Sequence, residues 1–270
     1  MKHELKRKSL NELNLTSRFL FDVVMEDSRT HQDVLSIIFG REISTIVKNE
    51  TEKEARLSPL IRSIRMDVFA MDDERTVYNT EMQDERKSDL AKRSRYYQAL
   101  IDTSLLEPGV PDYNKLNASY IIVIMAFDLF GYEKYQYTFL PRCQEVPELY
   151  LADGAVRIFL STEGKNDGEV SEELVEFLHY VKESTDEMAA KSKSERIQRL
   201  HQRVCRVKAS EEVGVRYMQA WEERYYDREE GRLEAKLEDA LNMRKEGLSD
   251  EMILRITKLT KEELEQINKD

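Results

Sequence analysis

The chain has 270 residues, 40% hydrophobic and 35% charged, with a formal net charge of −11 at pH 7. That length allows one large domain or a core domain with appendages. The composition excludes a membrane-embedded protein, because the longest apolar run, YIIVIMAF (120–127), is strand-like and far too short to cross a bilayer.

The N-terminal stretch MKHELKRKSLNELN is basic but has no apolar segment of the kind a secretory signal carries. Only two cysteines, Cys143 and Cys205, are present and far apart, so a disulfide framework is not indicated and a reducing cytoplasm is the expected setting. Residues 12–27 put Leu15, Phe19 and Val23 at helical spacing, with Asn14 or Thr16 as candidate N-caps. A second short helix is expected over 31–40, with Gly40 just past its end. Residues 41–50 alternate weakly, as a strand would. Stretches 61–71 and 75–83 then read as a hairpin, with MDDER as its turn and Ile64, Met66, Val68 and Ala70 at period two.

A helix over 87–105 follows, with Leu90, Tyr97, Leu100 and Ile101 on one side. Residues 119–127 predict a strand buried on both faces, and 133–140 and 155–162 are further strands. From about residue 165 the pattern is helical and charged. Residues 169–185 form an amphipathic helix with acids in its first turn. In the tail, Ser249 caps one short helix, and Thr260 with Glu263 forms a capping box on another. The expected division is a core over 1–165, a helical extension over 166–246 and a two-helix tail over 247–270.

The hairpin carries the chemistry. In MDVFAMDDERTVYNTEMQ (66–83), Asp67 interrupts an apolar strand, and Glu81 and Gln83, two apart, project from one face of the next. Antiparallel pairing sets Asp67 near Glu81. Two close carboxylates repel and resist burial unless a proton, donor or cation compensates, and hard oxygen ligands suit Mg²⁺ or Mn²⁺. The plainer alternative is a solvated strand edge. Net acidity speaks against indiscriminate nucleic-acid binding, but two basic stretches, 86–95 and 191–208, allow a local phosphate-binding surface. The best candidates for DNA contacts are Lys87, Lys92, Arg93 and Arg95, interleaved with Tyr96 and Tyr97.

The pattern D-x(13)-E-x-Q resembles the active-site hairpin of the PD-(D/E)XK nuclease superfamily. More narrowly, it is similar to the bacterial PD-(D/E)XK nuclease family transposases, or recombination-promoting nucleases. The likeness continues through RSRYYQALIDTSLLEPGVPDYNKL (93–116), YIIVIMAFDLF (120–130), VRIFLSTEGK (156–165) and SEELVEFLHYV (171–181). The resemblance implies an α/β, restriction-endonuclease-like core, a mixed sheet flanked by helices, with an all-helical C-terminal extension. It also implies Mg²⁺- or Mn²⁺-dependent cleavage of DNA linked to recombination or mobile elements, with Asp67 and Glu81 as metal ligands and the Met82 carbonyl as a further one. Gln83 stands where the superfamily usually has Lys, and can hydrogen-bond a water but not bring charge to it. Arg18 stands where family members often have an Asp, leaving Asp22 or Glu26 as substitutes. The rival reading is a catalytically degenerate nuclease fold that binds DNA or protein. The helical C-terminal part is a candidate surface for self-association.

Other sites are set aside. His3, His31, His179 and His201 show no metal-ligand spacing, neither cysteine has an activating neighbour in sequence, and no Gly-rich loop supports nucleotide use.

Overall fold

The computed structural model describes residues 8–55, 64–106, 109 and 111–266; His3 and the expected start of the hairpin at 61–63 lie outside these. In chain order the elements are α1 (Arg18–Met25), α2 (Ser28–Phe39), β1 (Ile46–Ala55), β2 (Ile64–Asp72), β3 (Val77–Gln83), α3 (Leu90–Leu105), β4 (Ser119–Met125), β5 (Gln136–Phe139) and β6 (Ala155–Ser161). They continue as α4 (Glu172–Lys182), α5 (Asp186–Lys191), α6 (Glu195–Lys208), α7 (Glu211–Lys245), α8 (Asp250–Thr257) and α9 (Lys261–Gln266).

Caps set several of these boundaries. Asp27 accepts the Thr30 N–H at 2.8 Å and starts α2 three residues earlier than apolar spacing suggests. Gly40 ends it at φ +63°, a left-handed conformation that suits a residue without Cβ. The expected first helix over 12–27 is shorter, beginning after Ser17. Asn14 is drawn away from helix capping because its side chain accepts the Ser184 N–H at 3.0 Å.

The six strands form one mixed sheet in the order β1-β2-β3-β4-β6-β5. β1, β2 and β3 are antiparallel neighbours. β3, β4 and β6 run parallel, and β5 returns antiparallel on β6. Crossover through α3 makes β3 and β4 parallel and central, which is why β3 is buried along its whole length and β4 reads as continuous apolar sequence. On one face Phe69, Val77, Ile121, Val123 and Phe159 pack under Leu90, Tyr97, Leu100 and Ile101 of α3. On the other, Tyr78 stacks on Tyr120 at 5.6 Å, and Phe39 of α2 meets both rings edge-on.

Helix α6 packs with α1 and α2, α4 packs with α2, and α5 packs with α4 and α6. Arg199 of α6 grips Asp33 of α2 with two bonds of 2.8 and 2.9 Å, and Arg196 reaches Glu173 and Glu42. The chain divides into two compact units, 1–213 and 214–270. In the second, Ala240, Ile253, Leu259 and Leu264 build a small core with Leu233, Leu237 and Met243 around it. Both tail caps form as expected: Ser249 Oγ accepts from Met252 N–H, and Thr260 and Glu263 bond reciprocally at 2.7 and 3.1 Å.

Candidate active site

The β2–β3 ladder ends at the pair Val68 and Thr80. At the next position side chains replace backbone: the Glu81 carboxylate accepts the Asp67 N–H at 3.1 Å, and the Asp67 carboxylate accepts the Met82 N–H at 3.0 Å. Each acid thus takes a donor from the other's strand where the two backbones part. Period-two alternation puts Val77, Asn79, Glu81 and Gln83 on the α3 side of β3, and Asn79 Nδ2 donates to Glu81 at 3.1 Å.

Asp67 and Glu81 are almost fully buried, at 1% and 3% exposure. Burial, and then the neighbouring Asp67 carboxylate, push Glu81 up to about 8. Burial also raises Asp67, opposed by the Arg18 guanidinium and the Met82 N–H. A third acid joins from α1. Asp22 is buried, and desolvation followed by the Asp67 charge pushes it up to about 9. Burial raises all three acids, and the repulsion among them is a charge imbalance that a cation relieves.

One cation is already in contact. Arg18 pairs with Asp67 and stands 3.6 Å from Asp22 Oδ2. Burial would lower its pKa, but the Asp67, Asp22 and Glu81 charges outweigh that and raise it. Among the two substitutes offered for the missing N-terminal acid, the fold brings in Asp22, one helical turn after Arg18, and leaves Glu26 exposed.

Gln83 makes its own closed pairings. Its Oε1 accepts from Arg93 Nη2 at 2.9 Å, and its Nε2 donates to the Glu85 carbonyl at 2.9 Å. Arg93 also stands 4.0 Å from Glu81 Oε2 and lies over the Tyr97 ring at 5.6 Å. Arg93 is therefore half-buried in the site, whereas Lys87, Lys92 and Arg95 are exposed beside it. Arg93 thus brings a positive charge from α3 to Gln83 and Glu81 of β3. The sequence singled out Arg93 for its charge and could not show its direction.

The second basic stretch, 191–208, is largely used within the protein. Arg196 and Arg199 are held by Glu173 and Asp33, and Arg203 donates to the Val23 carbonyl at 3.2 Å. This run fastens α6 to its neighbours, which counts against its use as a phosphate-binding surface.

A model of the PD-(D/E)XK nuclease family transposases matches residues 27–235, more than half of the chain. The match spans the hairpin and α3 but begins after α1, so Arg18 and Asp22 fall outside it. No curated protein and no solved structure matches the chain.

Proposed function

The chain belongs to the PD-(D/E)XK nuclease family transposases, and on that premise we propose that it is a metal-dependent DNA endonuclease serving recombination or mobile elements. Family membership supports a nuclease-type function, and the mixed sheet with its flanking helices and helical C-terminal part fits the restriction-endonuclease-like fold. Nucleases of this superfamily generally use divalent ions. The observation that carries the finer reading is the pair of buried carboxylates, Asp67 and Glu81, locked side by side across two strands.

The donors fit a hard divalent ion. They are all oxygen, as Mg²⁺ and Mn²⁺ prefer. Asp22 Oδ1 is buried and accepts no hydrogen bond, and Asp67 Oδ1, also buried, is held by the Arg18 guanidinium. Asp67 and Glu81 would hold the ion, with Asp22 beside them. When bound, it supplies polarisation of a phosphoryl oxygen and activation of water. The chain's own groups do the rest. Arg93, fixed by Gln83, places positive charge next to Glu81, where charge develops on a phosphate under attack. Lys87, Lys92 and Arg95 face outward, where they can hold the DNA backbone.

Purified protein is expected to cleave plasmid DNA with Mg²⁺ or Mn²⁺ and not with EDTA, and Asp67→Ala is expected to remove the activity while keeping the fold. Cleavage by the Ala variant at the wild-type rate would overturn this reading.

Arg18 favours a second reading, a nuclease fold retained for binding, because an internal cation already compensates Asp67. Its side chain is 45% exposed, so it can swing to solvent when a divalent ion takes up the charge. Absence of cleavage under any divalent ion, with DNA affinity intact, would establish the binding role.

A further inference from the structure

Away from the hairpin, three metal-ligating side chains converge among the described residues: the ligand atoms of Asp186, His201 and Cys205 lie within 4.8 Å of one another. Asp186 opens α5. His201 and Cys205 stand one turn apart on α6, the spacing that puts both on one helix face. His201 Nε2 is 3.2 Å from Asp186 Oδ1 and 3.5 Å from Cys205 Sγ. A tetrahedral zinc-class ion keeps neighbouring N, O and S ligands roughly 3.3–3.6 Å apart; the Nε2–Sγ separation falls in that range and the Nε2–Oδ1 separation just below it.

The two ring nitrogens have different duties. Nδ1 is 2.9 Å from the hydroxyl of the buried Tyr180, while Nε2 faces the carboxylate. Metal-bound histidines show this division, one nitrogen to the ion and the other fixed by an outer partner. A nucleophile triad needs acid and thiol on opposite ring nitrogens, and here Asp186 and Cys205 are both closest to Nε2. Cys205 Sγ lies beside the ring, 4.0 Å from Nδ1, and its exposure allows the χ1 rotation that binding requires.

We propose that Asp186, His201 and Cys205 bind one borderline-soft divalent cation of the Zn²⁺ class, with water completing the shell, and so tie the start of α5 to α6. Thiolate and imidazole select against Mg²⁺, so this site is chemically distinct from the oxygen-only hairpin and does not depend on the nuclease reading.

The test titrates Co²⁺ into full-length protein carrying Asp67→Ala, so that the hairpin acids do not compete. One equivalent is expected to give a near-ultraviolet thiolate-to-cobalt charge-transfer band that Zn²⁺ displaces and Mg²⁺ does not. Cys205→Ser is expected to abolish the band with unchanged far-ultraviolet dichroism, and Cys143→Ser to keep it. Asp186→Asn should weaken binding at least tenfold, and Tyr180→Phe by about 10–100-fold. No band at one equivalent, a band that survives Cys205→Ser, or unchanged affinity in Asp186→Asn would each overturn the proposal.

Discussion

Arg18 sets the charge state of the hairpin acids. Its guanidinium meets Asp67, reaches towards Asp22 and acts on Glu81, so it stands in competition with any divalent ion for the same carboxylates. Removing it leaves buried acids with less compensation. Arg18→Ala is therefore expected to lower the melting temperature in EDTA, and Mn²⁺ is expected to restore more stability to the variant than to wild type. Thermal melts with and without Mn²⁺ check this, and equal gains would show that Arg18 does not compete with the ion. Gln83 makes the opposite point. An amide in a site that elsewhere in the superfamily carries Lys looks like a loss of charge, but its oxygen holds Arg93 at 2.9 Å. Gln83→Lys sets two cations against each other in a buried place, so the variant is expected to unfold at lower temperature and to cleave more slowly. Gln83→Ala frees Arg93, and single-turnover cleavage is expected to slow on the order of a hundredfold if that charge is used in the reaction.

Individual elements carry separate duties on their two faces. β3 gives Glu81 and Gln83 to the α3 side, and on the other side Thr80 bonds His31 of α2 at 3.0 Å. His31 is fully buried. Its Nδ1 donates to Asn49 Oδ1 at 2.8 Å, and Asn49 donates on to the Met25 carbonyl, so one polar chain links α1, α2, β1 and β3 behind the acids. Burial pulls His31 down from 6.5 to about 4, the Asn49 bond only partly opposing it. The unfolded chain therefore binds the proton first as pH falls. Stability is full above pH 6.5 and falls as pH drops towards 4, by at most roughly 3 kcal/mol. Denaturant midpoints across that window are expected to fall more steeply for wild type than for His31→Gln, and parallel curves would remove His31 from the account. On α3 and just before it, the exposed cations can be separated from the half-buried Arg93. Lys87→Glu, Lys92→Glu and Arg95→Glu together are expected to weaken DNA binding and flatten its salt dependence without changing the fold. An unchanged salt slope would assign them to an ordinary solvated face.

At the scale of the whole chain the two compact units set what can be removed. Residues 247–270 supply Ile253, Leu259 and Leu264, with Leu248 and Leu254 beside them, to a small core whose remaining members lie on α7. Deleting 247–270 is expected to leave the cooperative transition of the 1–213 unit in place. The same deletion is expected to cost helical signal beyond the deleted residues, because Leu233, Leu237 and Met243 lose their apolar partners. Circular dichroism with melting curves checks both halves of that expectation. A lost main transition would show that the tail is integral to the first unit. We propose that 211–270 serves as an interaction module, and self-association lost in the truncation would support that role.

What the sequence determined by itself was everything written in short-range pattern. Period-two alternation placed the hairpin and put Glu81 with Gln83 on one face. Apolar continuity marked β4 as buried on both sides, Gly40 ended α2, and Thr260 with Glu263 marked the last helix. These signals depend on neighbours within about four residues and on the backbone's own geometry. The same pattern carried the family resemblance, because D-x(13)-E-x-Q spans a single hairpin. Tertiary structure alone decided which charges meet. Arg18 on Asp67, Arg93 on Gln83, Arg199 on Asp33 and Asp186 beside His201 join different elements, and such pairings leave no periodic trace. They follow from the sheet order and from helices packed over its two faces, which bring side chains that look solvated in sequence against polar partners distant in the chain.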